Sequence, residues 1–209
     1  MEMSSGMKLI GVTDDCHSVD ELLLKLQQTA PFFDAFILRE KSKTDEQLVD
    51  LVLRLMDSQF PLDKLIIHAR PDVANKLSIK KAQLTGYGMS VTDAQTSFPS
   101  LKFGCSVHSL KEALQAEEDG ASWLLYGHVY ATQSKEGLTP RGTGELFEIA
   151  SACKIPVYAI GGIQPEHLAT LEEHDVAGVA ILSPLSHPNA VDEVKKYSRN
   201  GEVFIGKDN

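Results

Sequence analysis

The sequence is poor in long apolar runs: none approaches the roughly 20 residues that a helix needs to cross a bilayer. No membrane association is therefore expected. Cysteine is scarce as well. Cys16, Cys105 and Cys153 are scattered, form no CxxC pair and have no zinc-type spacing to histidine, which excludes a disulfide framework and argues against a zinc site. Basic residues are outnumbered 20 to 29 by acidic ones, and a net charge of −9 leaves no basic face to replace the counterions of a nucleic acid. Met1 to Gly6 lack the basic and apolar regions of a targeting signal; residues 1–6 are expected to be a disordered leader and the protein to stay in the cytoplasm. Absent too are a GxSxG elbow, an HExxH pair and a Walker loop, while Gly142-Thr143-Gly144 falls short of a dinucleotide fingerprint.

What is present is a regular alternation. The chain has 209 residues, 43% apolar and 23% charged, which suits one globular domain over 1–209. Eight short apolar runs read as strands: Met7 to Thr13, Ala35 to Arg39, Lys64 to His68, Lys81 to Thr85, Lys102 to Ser106, Trp123 to Gly127, Val157 to Gly161 and Gly178 to Ser183. Helical spacing is clearest in Val19 to Gln28, Glu46 to Met56 and Leu110 to Glu118, and weaker near Val73 to Leu77 and Val91 to Gln95. Ser18 with Glu21, and Ser109 with Glu112, form capping-box patterns at two helix starts. Eight β/α units of this length predict a closed parallel barrel, a TIM (β/α)8 fold of the α/β class, ahead of an open doubly wound sheet.

A parallel barrel builds its active site where its strands end. Here those endings are rich in chemistry: Thr13-Asp14-Asp15, Arg39-Glu40-Lys41, His68-Ala69-Arg70, Gln83-Leu84-Thr85, Ser106-Val107-His108, Gly127-His128, Gly161-Gly162 and Ser183. The glycine pair leads from a strand towards a helix, and Ser183 closes the next strand; this loop pair is a frequent phosphate site in barrels. A tight turn without a ligand is the plainer alternative. The long segment His128 to Arg141, with Thr132, Ser134, Lys135 and Arg141, suits a clamp over an anion, against the alternative of a solvated loop. His128 is the acid/base candidate, because an imidazole titrates near neutrality and this one follows an apolar strand into the mouth. His68 and His108 compete from other strand ends.

Five segments carry a family resemblance: Phe36 to Lys41, Phe103 to Ser109, Tyr126 to Tyr130, Ile155 to Ile163 and Gly178 to Ser183. Together they resemble the thiamin phosphate synthase superfamily and, within it, the TenI branch of thiazole tautomerases, in consistent order from Met7 to Arg199. Two departures from the synthase pattern bear on the choice. A synthase usually has Asn-Asp-Arg after its third strand, where the Asp binds Mg2+; this chain has His68-Ala69-Arg70, and Thr85-Gly86-Tyr87-Gly88 stands where acidic residues follow the fourth. The strand-six motif, usually Gly-Pro-Ile-Phe, is Gly127-His128-Val129-Tyr130.

The resemblance thus implies a metal-independent isomerase without a cofactor, in which His128 shuttles a proton to aromatise a thiazole phosphate carboxylate. Gly162 and Ser183 would hold the phosphate, with Lys135, Ser134 and Thr132 closing over it, Arg39 or Lys41 on the carboxylate and Ser106 as a further contact. It also implies a homodimer. Thiamin phosphate synthase is the alternative activity, and a non-catalytic regulatory barrel is a third reading.

Overall fold

Each apolar run forms a strand because its side chains find apolar partners on both faces, as in a parallel sheet covered by helices. A computed structural model describes residues 6–197, so the expected leader lies, apart from Gly6, outside the described residues. The strands are β1 (Lys8–Val12), β2 (Ala35–Leu38), β3 (Leu65–His68), β4 (Lys81–Leu84), β5 (Lys102–Val107), β6 (Trp123–Gly127), β7 (Val157–Ile160) and β8 (Gly178–Ile181). All pair in parallel and in chain order, and β8 returns to β1 through the register Lys8↔Gly178 to Gly11↔Ile181. The expected barrel is what forms. It closes in the form that leaves no free sheet edge.

Nine α-helices of the described residues accompany the strands: α1 (Val19–Thr29), α2 (Asp45–Asp57), α3 (Pro71–Lys76), α4 (Val91–Ser97), α5 (Leu110–Glu118), α6 (Gly144–Ala152), α7 (Leu168–Glu173), α8 (Ser183–Ser186) and α9 (Ala190–Lys195). Of the two capping boxes read, one forms whole and the other in half, the Glu112 carboxylate accepting instead from the His108 N–H at 2.8 Å. Ser18 accepts from the Glu21 N–H and the Glu21 carboxylate accepts from the Ser18 N–H, at 3.3 and 2.9 Å. Ser109 accepts from the Glu112 N–H at 3.2 Å. Such caps satisfy donors that the first helical turn leaves without partners, worth about 1 kcal/mol each.

Two apolar clusters divide the core. Leu22, Leu26, Phe36, Leu48, Leu51 and Phe103 belong to the layer between strands and helices, while Ile10, Val12, Ile37, Ile66, Trp123 and Leu125 fill the barrel interior. Period-two alternation along each strand sends neighbours into opposite clusters. Gly104 makes the interior packing work: a Cβ there would lie 2.0 Å from the Trp123 ring nitrogen. The indole fills that space and donates to the Gln83 side-chain oxygen at 2.8 Å.

Candidate active site at the barrel mouth

On the side formed by β6, β7 and β8 the surface is shaped by backbone. His128 directly follows β6, half-buried, and its Nε2 lies 3.4 Å from the Leu138 carbonyl oxygen. A Cβ on Gly161 would come within 2.3 Å of the His128 Cβ, so the absence of a side chain there is what lets the imidazole sit at the strand end. Gly162 has φ +65°, and a Cβ on it would meet the Ala131 carbonyl at 2.3 Å and that of Tyr130 at 2.8 Å. Only glycine combines that left-handed conformation with so close an approach. Ser183, read as the end of the eighth strand, instead opens the single turn of α8, where it is exposed to solvent. The strand stops at Ile181 because the Ser186 and His187 N–H groups turn back to Leu182 and Ser183.

The segment after His128 is anchored at both feet. Arg141 and Gly142 donate their N–H groups to the carbonyls of His128 and Val129 at 3.0 Å each, and the Arg141 guanidinium reaches the His108 carbonyl at 3.0 Å. Between those feet lies one 3-10 turn, Gln133–Lys135, capped by Thr132, whose hydroxyl accepts from the Ser134 N–H at 3.4 Å. Ser134 and Lys135 are exposed on it. Ser106 is placed differently from the rest: its hydroxyl accepts from the Gln83 amide at 3.1 Å, which joins it to the buried Trp123 contact. Gln83 was read among the strand endings, but its partners were not, because a polar strand residue carries no sign of an inward-facing contact.

Across the mouth, the surface formed by β2, β3 and β4 is made of side chains. A recess of about 230 Å³ is lined by Glu40, Lys41, His68, Ala69, Arg70 and Thr85. Arg70 is turned towards the protein, donating to the Glu40 and Lys43 carbonyls at 3.1 and 2.7 Å. Glu40 forms a buried ion pair with Lys43 at 2.6 Å. Arg39 and Lys41 have no carboxylate within ion-pair distance among the described residues. The charge of Arg39, then burial and the charge of Lys135, push the Lys41 ammonium below its ordinary range, with Asp15 opposing. Arg39 and Lys41 thus repel one another, with Asp15 offsetting part of that repulsion.

The neighbouring carboxylates are already committed. Asp14 accepts from the Cys16 N–H at 3.1 Å and contacts His17 at 3.0 Å, and Asp15 accepts from the Ser42 N–H and hydroxyl at 2.8 and 2.7 Å. Burial raises the Asp14 carboxyl, but Cys16, Ser186 and His17 together bring it below its usual range. No group of three His, Cys, Asp or Glu side chains among the described residues is arranged to hold a metal ion. A hard cation such as Mg2+ takes oxygen ligands, usually carboxylates. The position after β3 has only Ala69, and that after β4 has Tyr87 and Gly88. This donor set does not fit Mg2+.

Burial and the charges of Arg39, Lys41 and Arg70 lower His68 to about 4, so its ring is neutral in the empty mouth. Sequence reading ranked it below His128. The burial that sets its state is a property of the folded mouth.

Known proteins of the same kind are numerous. The family model described as thiamine monophosphate synthase matches residues 9–185. A thiamine-phosphate synthase of Pyrococcus furiosus is 33% identical over 192 residues, covering 88% of each chain. One from Chlorobium luteolum is 31% identical over 166 residues, 76% of each. One from Pyrococcus horikoshii is 41% identical over 114 residues, spanning 54% of this chain and 55% of that protein. Among solved structures, thiamine phosphate pyrophosphorylase from Pyrococcus furiosus superimposes with a TM-score of 0.76 at 28% identity, over 91% of this chain and 93% of its own. A 3-hexulose-6-phosphate synthase, at 12% identity and a TM-score of 0.70, shares the fold alone.

These relatives are named for the synthase, which overturns the expectation of a thiazole tautomerase and moves the activity from isomerase to transferase. That expectation took the missing carboxylates to exclude synthase chemistry, yet the mouth has other charges able to meet a diphosphate. On the match to the family model and to relatives along most of its length, the chain belongs to the thiamine monophosphate synthase family.

Proposed function

We propose that this protein is a transferase of thiamin biosynthesis that forms thiamin phosphate from a pyrimidine diphosphate and a thiazole phosphate. The bond from the pyrimidine methylene carbon to the diphosphate breaks, its electron pair leaves with the diphosphate, and the thiazole nitrogen supplies the pair for the new bond. Such a reaction needs two anions held in one mouth and the charge developing on the leaving group neutralised as it forms. The observation that carries the reading is the pairing of two surfaces suited to anions: the Gly161-Gly162 turn on one side and, on the other, Lys41 in the recess with Arg39 beside it, neither with a carboxylate in ion-pair distance among the described residues.

In this reading Gly162 and Ser183 hold the thiazole phosphate. Thr132, Ser134 and Lys135 close over the mouth, with Ser106 as a polar contact from inside the barrel. Arg39 and Lys41 take the diphosphate, and His128 serves the leaving group as a hydrogen-bond donor or acid. Since the donor set does not fit Mg2+, the charge is carried by side chains, and the enzyme works without a divalent ion. The test is to mix purified protein with both substrates, in EDTA and in Mg2+, and to follow thiamin phosphate. Product in EDTA supports the whole reading. Product only in Mg2+ removes the metal-independent part, and no product in either removes the synthase.

A further inference from the structure

Inside the barrel, three neighbouring strands bring polar side chains together just below the mouth. The registers Gln83↔Gly104 and Gly104↔Trp123 put these residues at one level across β4, β5 and β6. Gly104 lies between the other two and offers no side chain, so the indole passes over it and donates to the Gln83 side-chain oxygen at 2.8 Å. Two residues further along β5, on the same face, Ser106 accepts from the Gln83 amide nitrogen at 3.1 Å. Ser106 pairs in register with Leu125, which belongs to the interior cluster, and it is half-buried at the mouth end of its strand. Packing alone does not ask for this arrangement. The interior beside Gln83 is apolar, with Ile37, Ile66 and Leu125, and an apolar side chain would fill it without an amide to desolvate.

The direction of each bond is dictated by chemistry. An indole N–H only donates, so the Gln83 oxygen must face Trp123. The amide nitrogen then faces the opposite way, towards Ser106 and the Leu84 carbonyl at 3.4 Å. That carbonyl only accepts, so it demands the same orientation. Turning the amide over would oppose donor to donor at Trp123, and Gln83 is 0% exposed, so water does not relieve the loss. Ser106 is therefore bound to accept on its inner side. Its own proton must point elsewhere, and among the described residues no acceptor takes it. The proton is left to the mouth.

We propose that Gln83 is a positioning residue: locked by Trp123, its amide holds the Ser106 hydroxyl with the proton towards the mouth, so that this spot selects a hydrogen-bond acceptor on a substrate over a donor. A ring nitrogen and a phosphoryl oxygen both have that chemistry. The inference rests on the reading of Ser106 as a substrate contact and adds what fixes its polarity. A free hydroxyl would have to give up rotational freedom when the ligand arrives; here much of that ordering is complete beforehand.

The test is a double-mutant cycle in the full chain, with the pyrimidine diphosphate and the thiazole phosphate each titrated alone by calorimetry. Gln83→Met keeps length and burial but removes the amide, and Ser106→Ala removes the hydroxyl. For one of the two ligands, each single variant is expected to bind about tenfold more weakly and the double variant no more weakly than Ser106→Ala, because Gln83 acts only through Ser106. The ligand that responds is the one that meets Ser106. Gln83→Glu adds a signature that a packing role would not produce. Ionised, the introduced carboxylate accepts from both neighbours and turns the Ser106 proton inwards; protonated, it donates to Ser106 again. Relative to wild type, affinity for the same ligand should be at least about tenfold weaker at about pH 8 and recover towards about pH 5, since burial raises the pKa of a carboxyl group. Should Gln83→Glu not fold, the cycle alone decides. Additive losses, an unchanged affinity in Gln83→Met, a Gln83→Glu deficit that ignores pH, or binding of neither ligand by the wild-type protein would each overturn the proposal. Thiamin phosphate formation is followed separately. Coupled losses in a protein that makes no thiamin phosphate leave this inference standing and the synthase reading lost, and additive losses in a protein that makes it give the reverse.

Discussion

On the β6–β8 side of the mouth the surface offered to a ligand is main chain, held by glycines that admit no side chain; on the β2–β4 side it is charge at the ends of long side chains. The first is fixed in place and nearly indifferent to pH and salt. The second is adjustable, and its own groups repel one another. One mouth thus joins a rigid surface to a responsive one, a division that suits the proposed reaction, in which one phosphate would stay attached and the other depart.

Substituting Gly162→Ala should break this contrast most severely. The new Cβ would press on two carbonyl oxygens from a left-handed backbone, so a loss of about 2–4 kcal/mol in stability is expected, together with roughly a hundredfold fall in kcat/KM. Thermal unfolding and steady-state kinetics measure the two effects, and an undiminished variant would show that the turn is not a ligand surface.

Acid should act on the opposite side. His68 titrates at about 4 in the folded protein against 6.5 for the free side chain, so between those values the unfolded chain binds the extra proton. Stability is fully present above 6.5 and is lost as pH falls towards 4, by about 2 kcal/mol after allowing for partial exposure. Denaturant melts across that window should show a smaller loss in His68→Asn. An identical pH dependence would mean that other groups account for it.

Lys41→Ala sharpens the comparison most gently. Removing one member of a repelling set should leave thermal stability equal or slightly higher, while pyrophosphate binding weakens about tenfold and becomes less sensitive to salt. Binding isotherms at two ionic strengths test it; a drop in stability with unchanged affinity would make Lys41 a structural residue.

The barrel was legible because every strand is an apolar run bounded by polar residues, and β6 matches its expected span from Trp123 to Gly127. The shorter α3 and α4 were faint: their buried residues, Pro71, Val73 and Ala74 in one and Val91 and Ala94 in the other, make too short a stripe to set a period. In the site, the glycine pair and the charged strand ends could be read directly, since their residue types alone suggest their chemistry. Solitude could not. That His68 has no hydrogen-bond partner among the described residues follows from what the fold brings near it, as does the Trp123, Gln83 and Ser106 chain. The reaction was misjudged where the absent carboxylates were taken to exclude the synthase and Arg39 or Lys41 was given to a substrate carboxylate, a reading that the relatives overturn.

The tethered feet of the segment between His128 and Gly142 carry a separate consequence. Because its ends are clamped to the same short stretch of backbone, the residues between can be exchanged, shortened or extended as a cassette, with chain-entropy costs that grow only slowly with length. Specificity at this rim can then diverge among relatives, or be redesigned, while the hydrogen-bonded ring beneath stays as it is.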